Sequence, residues 1–181
     1  MRKPFSLLLI IVWLVAGVVI AEAQQATKLH RIGFLVLHDG PSSRSEAFRQ
    51  GLRKLGYVEG QNVNIEWRFA QGKPERVREM ATELVRLKVD VIVAQGAIAP
   101  RAVKEATRTI PIVMVGSADP VGSGLIASLA RPGGNVTGLT TVAADTGGKR
   151  LELLKEVVPG LNRVGVIWYS ANPSAAAQLR K

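Results

Sequence analysis

Short apolar runs alternating with amphipathic helix patterns, with little loop between them, predict an α/β protein built on a doubly wound parallel sheet. Three observations carry this. The runs at 31–37, 89–94 and 110–115 are nearly continuous in apolar residues, as strands buried on both faces are, and 135–140 and 163–168 read as a fifth and a sixth strand. Between them lie patterns with helical period at 45–55, 75–87, about 100–107, 120–129 and 146–158. Strands alternating with helices at this spacing imply βαβ units, whose crossovers cover both sheet faces.

The first strand, 31–37, follows a polar lead-in. Helix 45–55 places Ala47, Phe48, Leu52 and Leu55 on one face, and Gly56 stops it. Ser43-Arg44-Ser45-Glu46 has the spacing of a capping box, which puts the start of this helix just after the loop 39–42. In 63–69, Val63, Ile65, Trp67 and Phe69 alternate with Asn64, Glu66 and Arg68, the pattern of a half-buried strand at or near a sheet edge. Asp119 has the chemistry to cap helix 120–129, with Pro120 at its first position, where a missing N–H costs nothing. Gly122-Ser123-Gly124 falls inside that helix, where small residues allow close packing. Helix 146–158 ends at Pro159-Gly160. Strand 163–168 then begins what reads as a second round of the same pattern, and Asn172-Pro173 has the form of another helix cap.

The N-terminus carries Arg2 and Lys3, an apolar run over 5–20 and the small-residue site Ala21-Glu22-Ala23, the form of a secretory signal peptide. An uncleaved anchor is the rival reading, since the run approaches the roughly 17 residues of the shortest spanning helices. No cysteine is present, which excludes both disulfides and lipid attachment at a cleavage-site cysteine. An exported chain of this kind is held by its core alone, and residues 24 onward suffice for one ordinary domain. Removal of Arg2, Lys3 and Glu22 with the leader takes the formal charge from +10 to +9. Export, and the lack of aromatic residues among the basic ones, argue against a nucleic-acid partner. The basic residues read as solvated helix faces.

Catalytic chemistry is sparse. The two histidines, His30 and His38, flank the first strand, and no pair has metal-ligand spacing, so no metal site is expected. No nucleophile elbow, phosphate-binding loop or dinucleotide fingerprint occurs, and no cofactor or catalytic residue is assigned. Three loops at strand carboxyl ends remain: 38–43, 95–99 and 116–119. In a flavodoxin-like order they belong to strands one, three and four and flank the switch point, where open α/β sheets bind ligands. Their candidate ligand-binding residues are Asp39, Ser42, Ser43, Gln95, Gly96, Ala97, Ser117 and Asp119. Each has a plainer use: Ser43 and Asp119 sit at cap positions, and Gly96 and Gly116 answer a need for positive φ. Gln95 has the least structural excuse, being a long polar side chain directly after a buried strand.

The runs Leu52-Arg53-Lys54-Leu55-Gly56-Tyr57-Val58-Glu59-Gly60-Gln61-Asn62-Val63, Thr109-Ile110-Pro111-Ile112-Val113, Asp119-Pro120-Val121, Pro132-Gly133-Gly134-Asn135-Val136-Thr137-Gly138 and Leu153-Leu154-Lys155-Glu156-Val157-Val158-Pro159 resemble the ABC transporter substrate-binding proteins related to tryptophan and tyrosine binders. The resemblance covers nearly all of the chain after the leader. It implies a type I periplasmic binding fold, in which two α/β lobes close on a small molecule and present it to a membrane permease. On that basis residues 1–23 are a signal peptide, 24–160 the N-terminal lobe and 161–181 the start of a second lobe that is mostly missing, and the protein is periplasmic. The implied partners are a small-molecule ligand, an amino acid or similar metabolite, and the ABC permease, with the membrane met only through the transporter or an uncleaved signal. An exported sensor of the same fold, without transport, is the alternative. An enzyme would need a nucleophile and base that these residues do not supply. Family members commonly carry Gly-Thr-Pro after the third strand, with the hydroxyl helping to hold the ligand. Here the sequence is Gly96-Ala97-Ile98, which puts an aromatic amino acid ligand in question.

The leader reading has a direct test. The exported product is expected to start at Gln24, as intact mass or N-terminal sequencing will report. Retention of residues 1–23 would identify an anchor instead.

Overall fold

A computed structural model describes residues 29–141 and 146–170, so the leader and the candidate cap Asn172-Pro173 lie outside the described residues. Five parallel strands form one sheet: β1 (His30–Val36), β2 (Val63–Phe69), β3 (Val91–Gln95), β4 (Ile112–Ser117) and β5 (Val136–Thr140), in the order β2-β1-β3-β4-β5. The helices are α1 (Ser43–Lys54), α2 (Pro74–Arg86), α3 (Ile98–Ala106) and α4 (Gly147–Val157). This is the doubly wound α/β class with flavodoxin-like order, and β2 occupies an edge as its half-buried alternation requires.

Two cores follow from the period-two alternation of the strands. On one face Leu35, Ile92, Ala94, Ile112 and Met114 pack against α2 and α3 through Val77, Ala81, Leu84 and Val103. On the other, Ile32, Phe34, Val36, Val63, Ile65 and Val93 pack with Phe48 and Leu52 of α1. The α1 stripe is thus narrower than its sequence pattern, because Ala47 is exposed and Leu55, at the C-cap, is 75% exposed. Gly33 makes the first core possible. A Cβ there would stand 3.0 Å from both δ carbons of Leu84, a residue with no exposed surface, so the missing side chain lets α2 seat on β1.

Polar groups tie the strands at their amino ends. The Arg31 backbone N–H donates to the Asp90 carboxylate at 2.8 Å, and its guanidinium reaches the Leu87 carbonyl and Glu66 at 3.1 and 3.2 Å. One side chain therefore links β1, β2 and the end of α2.

Three elements differ from expectation. The helix predicted at 120–129 does not form. Asp119 Oδ1 accepts from Gly122 N at 2.8 Å, the backbone makes a single turn, and Gly124 then enters the left-handed region at φ 71. Leu125 and Ile126 are buried, so two apolar side chains suffice to anchor an irregular segment, and Gly122-Ser123-Gly124 is a turn rather than a helix-packing site. Residues 163–168 are not a strand. No described strand lies beside them to complete the ladder, and Val166 and Ile167 stand exposed. The capping box of α1 is closed by Ser42 and Ser45, one residue earlier than the Ser43-to-Glu46 pairing predicted from spacing.

β5 depends on a second glycine. A Cβ at Gly138 would overlap the Met114 carbonyl oxygen and lie 2.7 Å from its nitrogen, and φ is 134. Gly138→Ala is expected to destabilise the fold by about 3 kcal/mol, through backbone collision and strain. Gly51→Ala, in open space on α1, is expected to stabilise it by about 0.5–1 kcal/mol. Urea unfolding of both variants checks the contrast.

Candidate functional site

The sheet order places a crevice above the carboxyl ends of β1 and β3. These strands are paired, Leu35 against Ala94, yet β1 leads to β2 on one side while β3 leads to β4 on the other. Their following helices start on opposite faces, α1 on the Phe34 side and α3 on the Leu35 side. Two helix N-termini, each with backbone N–H groups lacking intrahelical partners, thus flank one opening.

The α1 terminus is closed by reciprocal serine contacts. Ser42 N donates to Ser45 Oγ at 2.7 Å, Ser45 N to Ser42 Oγ at 3.4 Å, and Ser45 Oγ to the Ser42 carbonyl at 2.8 Å. Ser45 is buried, which holds the loop 39–42 against the sheet edge. Ser42 therefore has a structural duty as acceptor, while Ser43 is the exposed first residue of the helix and Asp39 an exposed loop residue.

The α3 terminus is built differently. Gln95 ends β3 half-buried, and no described residue hydrogen-bonds its side-chain amide. Gly96, at φ 83, turns the chain and donates its N–H to the Val115 carbonyl at 2.8 Å, locking the turn to β4. Ala97 is the N-cap and has no side chain able to bond the helix, so the first N–H groups of α3 are left without a side-chain cap.

The third loop begins with a β-bulge. Val115 pairs with Leu139 but Ser117 pairs with Thr140, and the extra residue, Gly116, sits at φ 75. Both glycines thus meet the positive-φ requirement inferred for them. Ser117 is 1% exposed, and its hydroxyl has no hydrogen-bond partner among the described residues. Its carbonyl accepts from Thr140 Oγ1 at 2.6 Å and Thr141 N at 3.0 Å. Asp119 closes its own turn, so its backbone-directed role is that of a local cap. Thr140 and Thr141 therefore join this loop, although neither is among the candidates from sequence. Their signal was available, since a fifth parallel strand must end at the same sheet edge as the other four.

Residues 31–181 match the profile of the family described as ABC transporter substrate binding protein. The chain belongs to that family.

Relatives agree with this chain in sequence and shape. A tyrosine-binding protein of Clostridioides difficile (strain R20291) is 33% identical over 148 residues, 82% of this chain and 42% of the relative. A conserved domain protein from Vibrio cholerae superposes with a TM-score of 0.74 at 32% identity. An ABC domain from Streptococcus pneumoniae, solved in complex with L-Trp, gives 0.73 at 27% identity. Each of these two structures covers 84% of this chain and is itself covered over 52%. The chain therefore spans about half the length of the proteins it matches. Among the described residues, no group of three or more His, Cys, Asp or Glu is placed to hold a metal ion. No described helix is long and apolar enough to cross a membrane.

The serine contacts make a testable division of labour at the start of α1. Ser42→Ala is expected to cost about 1 kcal/mol of unfolding free energy, and Ser43→Ala less than about 0.5 kcal/mol. Equal costs in urea titrations would refute Ser42 as the cap.

Proposed function

We propose that the described lobe is the ligand-facing half of an extracytoplasmic solute-binding component of an ABC importer, which captures an amino acid or similar metabolite and delivers it to a permease. The observation that carries this is the pair of helix N-termini beside the β1–β3 crevice, one of them capped by alanine. An α-carboxylate suits such a place, because unpartnered N–H groups and the positive ends of two helix dipoles favour an anion. The half-buried amide of Gln95 supplies a donor and an acceptor beside it, and the free hydroxyl proton of Ser42 a further donor. Ser43, Asp39, Gly96, Ser117 and Asp119 complete the proposed wall. Relatives described as tyrosine-binding and as an L-Trp complex support an amino acid as ligand.

Ala97 bears on which amino acid. A threonine here would offer a hydroxyl at the mouth of α3, and alanine leaves that position to backbone N–H groups alone. A side chain without a polar requirement at this point therefore fits best. Binding, rather than chemistry, is what the wall can do: it presents donors to an anion and holds no nucleophile–base pair.

Thermal unfolding of the whole protein tests the proposal. A screen of amino acids, purines, sugars and organic acids is expected to find an amino acid that raises Tm progressively with concentration, as ligand linkage requires. Ala97→Thr is expected to tighten tyrosine or tryptophan binding by about tenfold relative to the parent, the worth of one added hydrogen bond. An unmoved Tm across the screen would overturn the assignment.

A further inference from the structure

We propose that the flank of the lobe carries a second site, a groove beside α3 that binds a phosphate-bearing anion. Arg101 and Lys104 lie three residues apart on one face of α3, and Arg108 follows its extended C-cap Thr107; all three line the same groove. These side chains are exposed, and they form one wall of an open groove of about 590 Å³, whose other wall is the irregular segment around Gly124 and Asn135. The volume lies within the range of small-molecule sites.

Charge and donors converge there. Glu105 is the one acid in the lining and pairs with Arg101 at 3.3 Å, leaving an excess of two positive charges. Lys104 Nζ is fixed by the Gly124 and Leu125 carbonyls, both at 2.9 Å, which pins the segment against the helix and holds the ammonium at the wall. Two of its three donors are used, so one remains. Arg108 has no ion-pair partner among the described residues. Elsewhere on the lobe Arg49 is bound by Glu46, Glu59 and the Trp67 ring, and Arg68 by Glu66 and Glu83. Two guanidinium groups and an ammonium around one concavity match the three oxygens of a phosphate. On the wall opposite, Ser123, Gly124 and Gly134 stand beside Leu125 and Asn135 and leave room for the group.

This groove is distinct from the crevice. Ala97 is common to both, but the groove runs down the length of α3 to Arg108 and Asn135, which lie at the amino-terminal edge of the sheet, next to the start of β5. The free anion and the headgroup of an anionic phospholipid share the recognising chemistry, and the experiment separates them.

Full chain is titrated with inorganic phosphate by calorimetry, and separately sedimented with phosphatidylcholine vesicles with and without phosphatidylglycerol. Arg101→Gln/Arg108→Gln is compared with Arg53→Gln/Arg86→Gln, which removes the same charge from exposed positions on α1 and α2. Saturable phosphate binding, weakened about tenfold or more in the first pair and unchanged in the second, is the expected result for a soluble anion. Retention on anionic vesicles alone, lost in the first pair, kept in the second and competed by phosphate, supports the same site with a lipid headgroup as its source. Equal loss in both pairs would make net charge the cause and overturn the site. So would the absence of both saturable phosphate binding and vesicle retention. Circular dichroism melts of all variants establish that any loss occurs in folded protein.

Discussion

The pairing of β1 with β3 is the constraint on which the rest of this structure depends. These strands are separated in sequence by β2 and α2, yet they share a ladder from Ile32 and Val91 to Leu35 and Ala94. Because β1 feeds a crossover in one direction and β3 in the other, the helices that follow must leave on opposite faces. Burial of both faces of β1 is the consequence, and it explains why Gly33 occurs in an otherwise bulky strand. Phe34 and Val36 fill the α1 side, while on the other side Leu84 fits only because position 33 has no side chain. The crevice is the same constraint seen from above: two adjacent strands whose chains diverge leave a gap between two helix starts.

Most of that frame was legible in the sequence for a simple reason. Parallel strands buried on both faces cannot alternate, so the continuous apolar runs of β1, β3 and β4 announce them, and the run that does alternate, at 63–69, lies at one edge, with the mostly exposed β5 at the other. The segment 120–129 was misread because apolar spacing alone does not decide between a helix and a turn that buries two side chains. Leu125 and Ile126 satisfy the spacing, but Gly124 in the left-handed region ends the helix before it propagates, and a helix nucleus without propagation is not stable. Residues 163–168 show the complementary limit. A strand is stabilised by its neighbours, and β-branched residues without a described partner strand remain extended and exposed.

At the crevice, identity was legible and assignment was not. The three loops lie at the carboxyl ends of β1, β3 and β4, as connectivity alone requires. Which serine caps α1 depended on backbone geometry: Ser42 has extended φ and ψ of −130 and 170, so it stands outside the helix as a cap residue must, whereas Ser43 is already helical. The bulge at Gly116 was likewise invisible to a pattern of apolar residues, although it decides the placement of Ser117 by shifting the β4–β5 register by one residue.

The positive charge of the chain acquires structure once its partners are assigned. Arg31, Arg49 and Arg68 are bound by carboxylates, a carbonyl and an aromatic face, where each joins elements distant in sequence. Such exposed pairs contribute little stability individually, so their arrangement orients strand edges more than it holds them. Beside α3, one glutamate among the described lining residues faces three cations, Arg101, Lys104 and Arg108, and pairs with the first of them. The failed helix after β4 is what turns this surplus into a concavity. A regular helix over 120–129 would lay its side chains against α3, whereas the turn at Gly122 to Gly124 withdraws the backbone, exposes carbonyls to Lys104 and leaves space lined by small residues. Loss of one regular element and accumulation of unpaired charge are therefore the same feature of this sequence, viewed from its two walls.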